Sequence, residues 1–175
     1  MALPEVVEVG RVEKENDFVD VNISSLKELA ESGDASAQST LATSYAIGDG
    51  VEANLVLARY WYSKAAEQGD ADASFNLASM VLLGEGGAKS SRKAGSLMRK
   101  ASCFGSSDAS IWIGETAMRN GQGDVAITYF TRALAQGDLR GARGISLLLA
   151  DSQFGPVKKW GSLISEELKR SGVVI

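Results

Sequence analysis

Few side chains in this sequence could carry covalent or acid–base chemistry. Among 175 residues there is no histidine, and Cys103 is the only cysteine. The first absence removes Ser-His-Asp and Cys-His nucleophilic arrangements, His-ligated zinc and histidine pH switching. A single cysteine leaves no intrachain disulfide and no cysteine-rich metal site. Cys103 falls near the C-terminal end of an expected helix, whose partial negative charge disfavours a thiolate, so a packing role is expected for it. The adjacent acids Glu166 and Glu167 fall on a helical segment. Consecutive residues do not share a helix face, so the pair is not a catalytic dyad. Gly121-x-Gly123-x-x-Ala126 fits a dinucleotide-binding spacing, but that motif needs a strand before it and a βαβ unit around it. A helical pattern precedes it here, which makes it a turn between helices. No nucleophile, base and oxyanion site assemble from these residues, so the chain reads as non-enzymatic, with no catalytic residue, cofactor or metal expected.

The elements that hold these residues repeat along the chain. Gly33, Gly69, Gly105, Gly137 and Gly172 stand 36, 36, 32 and 35 residues apart. Asp follows three of them directly (Asp34, Asp70, Asp138), and Asp108 stands three residues after Gly105. A left-handed glycine closing one helix, followed at once by an Asp that caps the next, explains this pairing. Ala37, Ala73, Ala109 and Gly141 form a small column, and Leu41, Leu77, Ile113 and Ile145 a branched aliphatic one. Ala58, Ala94, Ala126 and Gly161 form a second small column, with Trp61, Leu97, Tyr129 and Ile164 as large partners. Small residues facing large ones at fixed offsets are what two packed helices per repeat require.

The two helices of a repeat are joined by Gly48-Asp49-Gly50, by Gly84-Glu85-Gly86-Gly87, and by the shorter Gly121-Gln122-Gly123. Asn54, Ser90 or Ser91, and Asp124 are the expected caps of the second helices. Ser25 and Glu28 have capping-box spacing for a short leading helix over about residues 26–32. Gly155-Pro156 opens a last helix expected to run to about Ser171.

Charge is uneven. Residues 1–25 carry six acids and two bases, the whole net charge of −4, and are expected to form an acidic, extended or mobile leader. The body is neutral and offers no basic field, so neither nucleic acid nor an anionic membrane is an expected partner. The N-terminus lacks the apolar run of a signal peptide and no stretch approaches a membrane span, so a cytoplasmic, monomeric protein is expected.

The run Gly48-Asp49-Gly50-Val51, followed by Ala58-Arg59-Tyr60-Trp61-Tyr62-Ser63-Lys64-Ala65-Ala66-Glu67-Gln68-Gly69-Asp70-Ala71-Asp72-Ala73, resembles the signature of the Sel1-like repeat, a relative of the tetratricopeptide repeat. The resemblance covers residues 26–172, four repeats and a leading half, with residues 173–175 as a tail. It implies an all-α, right-handed α-solenoid whose first helices line a concave face used to hold another protein. By that packing, positions two before, two after and six after the branched aliphatic column face the concavity. Repeat two then contributes Phe75, Ser79 and Leu83. Repeat three contributes Ile111, Glu115 and Arg119, with Trp112 and Met118 adjoining. Repeat four contributes Arg143, Leu147 and Asp151, with Arg140 at the rim; repeat one contributes Ser39, Thr43 and Ile47. Apolar groups rimmed by Arg and Glu have the composition of an interface hot spot. The competing reading of Trp112 is that it fills the core between repeats. The implied function is an adaptor for an effector or signalling partner, or an immunity protein that neutralises a toxin by tight one-to-one binding.

Overall fold

The computed structural model describes residues 17–150 together with 166, 169 and 170, with side-chain surroundings from Ile23 onward. Eight helices follow one another, with no strand among the described residues: α1 Asp17–Glu31, α2 Ala35–Ile47, α3 Leu55–Glu67, α4 Ala71–Leu83, α5 Ser91–Phe104, α6 Ser107–Arg119, α7 Gly123–Ala135 and α8 Arg140–Ala150. Each helix packs on the next, and α6 also meets α8. The result is an all-α solenoid in which α2/α3, α4/α5 and α6/α7 are complete repeats. Helices α1 and α8 are the flanking halves of the described region.

The glycine columns do what their spacing requires. Gly33, Gly69, Gly105 and Gly137 all have φ between 87° and 108°, and Gly172 lies outside the described residues. A β-branched residue is strained at such a φ, so Gly69→Val is expected to lower stability by more than ~1 kcal/mol in chemical denaturation. Gly95 sits mid-helix, where an added Cβ meets only the Arg99 guanidinium at 3.7 Å. Gly95→Ala should therefore be neutral or stabilising by up to ~1 kcal/mol in the same measurement.

Asp34 and Asp70 cap α2 and α4, each carboxylate accepting the backbone N–H three residues on at 2.7 Å. In repeat three Ser106 caps α6, because it occupies the position that Asp34 and Asp70 hold. Asn54 and Ser90 cap α3 and α5 as expected. Asp124 does not cap α7, which begins one residue earlier at Gly123 with no side-chain cap; the three-residue linker leaves no room for a separate capping residue, and Asp124 falls in the first turn. The leading helix also differs from expectation. It starts at Asp17, not Leu26, so the end of the acidic leader is helical. Asp17 and Asp20 lie in the first turn, where the helix dipole favours acids. The helix expected after Pro156 lies outside the described residues, as do Gly161, Ile164 and Glu167.

Packing follows the small columns. Ala58, Ala73, Ala94, Ala109 and Ala126 have no exposed surface, which lets neighbouring backbones approach. Glutamines at the ends of α3 and α7 join successive repeats. Gln68 donates to the Gly33 carbonyl at 2.9 Å and to Gln38 at 2.8 Å, and Gln136 donates to the Ser102 carbonyl at 3.2 Å. No buried side-chain polar atom among the described residues lacks a hydrogen-bond partner. Trp61 packs partly buried between two apolar clusters, while its neighbour Tyr62 is buried outright.

Candidate functional site

The first helices α2, α4, α6 and α8 carry the residues expected to meet a partner, and the structure divides those residues into two sets. The first set is used in packing. Ile111 is 6% exposed and belongs to a core cluster with Ala117, Ala126, Phe130 and Ala133. Phe75 is half-buried against Ala78, Met98, Ala101 and Ala109. In repeats two and three the position two before the aliphatic column packs toward the following repeat, which corrects the expectation for Ile111 and leaves Phe75 only partly accessible, whereas Arg143, at the same position in repeat four, is exposed. Trp112 packs on the same cluster as Phe75 and lines a hollow with Arg99, Thr116, Val125 and Tyr129 between α5, α6 and α7. That placement agrees with its core reading.

The second set is at the surface. Leu83 is 64% and Ile47 70% exposed, each at the C-terminal end of a first helix. Ser79 is half-buried and donates back to the Phe75 carbonyl. Arg119 is exposed and donates to Thr116. Glu115, Arg140, Arg143 and Leu147 come together around a cleft of about 170 Å³ between α6 and α8, with Met118, Gly144 and Phe130 completing its lining. Asp151 lies outside the described residues.

The shape of the cleft comes from Phe130, which sequence reasoning missed. Its ring is 1% exposed and rises from α7 between α6 and α8. A Cβ added at Gly114 would stand 2.7 Å from this ring, and one at Gly144 2.6 Å. At Gly141 an added Cβ would run into the Phe130 carbonyl oxygen and lie 2.8 Å from the Leu134 nitrogen. Two glycines, Gly114 on α6 and Gly144 on α8, thus form the socket of one aromatic ring, and a third, Gly141, lets α8 approach the backbone of α7. Gly141 was legible as a small column; Gly114 and Gly144 were not singled out.

The two arginines of the cleft differ. Arg140 donates from Nε to both Asp138 oxygens at 3.0 Å and also pairs with Asp108, so it ties α8 to α6 and is held within the molecule. Arg143 and Glu115 are exposed, with no hydrogen-bond or ion-pair partner among the described residues. The Arg140 hydrogen bond holds the Asp138 carboxyl below its usual range, a second contribution coming from its bond to the Arg140 backbone N–H, against the opposing effect of burial. A depressed carboxylate stabilises the fold above its unfolded value of about 3.9 and loses that contribution as pH falls through the folded value. Asp138→Asn should therefore have a lower melting temperature than the parent at pH 7, with the gap closing below about pH 4; a gap constant over that range would contradict the assignment.

Cys103 is exposed at the end of α5, with Arg132 donating to its sulfur at 3.8 Å; it is not the packing residue expected. Gly121 and Gln122 form the turn between α6 and α7. Among the described residues no cluster of acids and cysteine could hold a metal ion, and no helix is long and apolar enough to cross a membrane.

Comparison with known proteins agrees with this geometry. A Sel1 repeat family model matches residues 35–70, 71–103 and 118–138, together just over half of the chain. The chain belongs to the Sel1 repeat family. The first two matches begin at the first residues of α2 and α4, and the third takes in the end of α6 and all of α7. Similar solved structures are a Sel1 repeat protein from Oxalobacter formigenes, 28% identical with a TM-score of 0.67, and a protective antigen of uropathogenic Escherichia coli strains displaying an SLR fold, 25% identical with a TM-score of 0.74. The alignments cover 75% and 87% of this chain but only 56% and 34% of those proteins. No curated protein matches. Sel1 repeats generally mediate protein–protein interaction.

Proposed function

We propose that the chain is a non-enzymatic binding module that holds a partner protein on the face formed by α2, α4, α6 and α8. The observation that carries this reading is the gathering of Glu115 on α6 and of Arg143 and Leu147 on α8 around the Phe130 floor, with Ile47 and Leu83 exposed on the preceding first helices α2 and α4. Arginine is enriched among the residues that dominate interface energies, Arg143 has no partner among the described residues, and the exposed Ile47, Leu83 and Leu147 offer apolar surface for a partner to cover. Leu83 and Leu147 are 64% and 43% exposed, so covering each would contribute at most about 1–2 kcal/mol before the costs of association.

The test is capture of partners by the tagged 175-residue chain and by two surface variants, Leu83→Asp and Arg143→Glu. Both positions are exposed, so melting temperatures should change little. A protein retained by the parent and lost or weakened at least tenfold by either variant supports the reading. Equal retention by parent and variants would move binding off this face. The narrower reading, an immunity protein that neutralises a toxin, requires in addition a one-to-one complex of nanomolar affinity or tighter.

A further inference from the structure

Resting on the reading of the first-helix face, we infer that the cleft between α6 and α8 takes one apolar side chain of the partner, leucine to phenylalanine in size, flanked on the partner by an acidic group toward Arg143 and a basic group toward Glu115. Size is the first argument. The cleft measures about 170 Å³, and about 150 Å³ suffices for a benzene-sized group, so it admits one large apolar side chain and not two. Its floor and one wall are apolar, supplied by Phe130, Met118 and Leu147.

Rigidity is the second argument. Gly114 and Gly144 clasp the Phe130 ring so closely that neither tolerates a Cβ, so the ring sets the spacing of α6 and α8, and the Arg140–Asp108 ion pair joins the same two helices at the surface. A preformed floor costs little ordering on binding. Charge is the third. Arg143 and Glu115 face the same cleft from opposite helices and have no partner among the described residues. When an apolar group displaces water from between them, each is screened less and selects its opposite charge. A segment bearing one sign of charge alone would leave Glu115 or Arg143 beside a like charge.

The experiment selects random twelve-residue peptides displayed on phage against the full chain, then measures the enriched sequences as synthetic peptides by fluorescence anisotropy. Enriched peptides are expected to carry Leu, Ile, Met or Phe between an acid and a base. Their binding should fall at least tenfold with Arg143→Glu and with Glu115→Lys. Replacing the peptide's acid by Lys should weaken binding to the parent and restore binding to Arg143→Glu, a charge-reversal cycle that isolates the pair. No enrichment, peptides insensitive to both substitutions, or absence of rescue overturns the inference. Peptides that lose binding only with Leu83→Asp overturn it too, while leaving the first-helix face in place as the binding surface. Sedimentation supplies the remaining outcome: self-association abolished by Arg143→Glu would make the occupant a second copy of this chain and overturn the partner assigned here.

Discussion

Phe130→Ala is expected to destabilise the protein by about 3–5 kcal/mol, the range for deleting a buried phenyl ring from a core that cannot collapse around the space. At roughly 2–4 °C per kcal/mol for a chain of this size, the melting temperature should drop by about 6–20 °C. The socket explains why relaxation is limited. The ring is held by α6 through Gly114 and by α8 through Gly144, and the Arg140–Asp108 ion pair also joins the two helices. The converse change tests the same contact. Gly144→Ala pushes a methyl group to within 2.6 Å of the ring and should cost roughly 1–3 kcal/mol through overpacking. The two substitutions should be less than additive, because the alanine at 144 occupies space that the missing ring leaves empty. Strict additivity in denaturant titrations would show that the socket is not the contact that matters.

The second large effect is expected at Gly86→Ala. Gly86 has a φ of 63°, and its missing Cβ points into the Leu55 carbonyl, backbone that cannot move aside without disturbing the start of α3. The added methyl group combines left-handed strain with backbone overpacking, so a loss of roughly 2–4 kcal/mol is expected. Arg59 secures the same loop by donating to the Glu85 and Ala88 carbonyls, both at 3.1 Å. Arg59→Ala should therefore loosen the loop at a smaller cost, seen as faster amide exchange over residues 84–90. If Gly86→Ala melts like the parent, the loop does not dock on α3 as described.

The repeat was legible in the sequence because its signals are local. A left-handed glycine, a capping Asp or Ser and an alanine column each leave a trace at a fixed offset, and Gly33, Gly69, Asp34, Asp70, Ala73 and Ala109 took the expected roles. Asp124 and the start of α1 were misplaced because helix ends depend on linker length and on acids placed favourably to the dipole, effects that compete with a good capping residue. The binding face was harder to read. Position alone put Phe75 and Ile111 on the surface, but the repeat that follows each of them packs on that position, burying Ile111 and half-burying Phe75, whereas Arg143, their equivalent on α8, is exposed. Arg140 and Arg143 look alike in sequence. Only the fold shows that Asp108, thirty-two residues away, pairs with Arg140, while Arg143 has no partner among the described residues. The glycine socket was hidden for a related reason: Gly114 and Gly144 acquire meaning only once Phe130 is seen between them.

The most direct test of partner binding on the first-helix face is site-specific photo-crosslinking in cells, with a benzoylphenylalanine placed in turn at Leu83, Leu147, Val56 and Ile127. All four positions are exposed; the first two lie on α4 and α8, the others on α3 and α7. The account predicts a discrete crosslinked partner band from Leu83 and Leu147 and none from Val56 or Ile127. Crosslinking from Val56 and Ile127, with Leu83 and Leu147 silent, would place the partner on the second helices and contradict it.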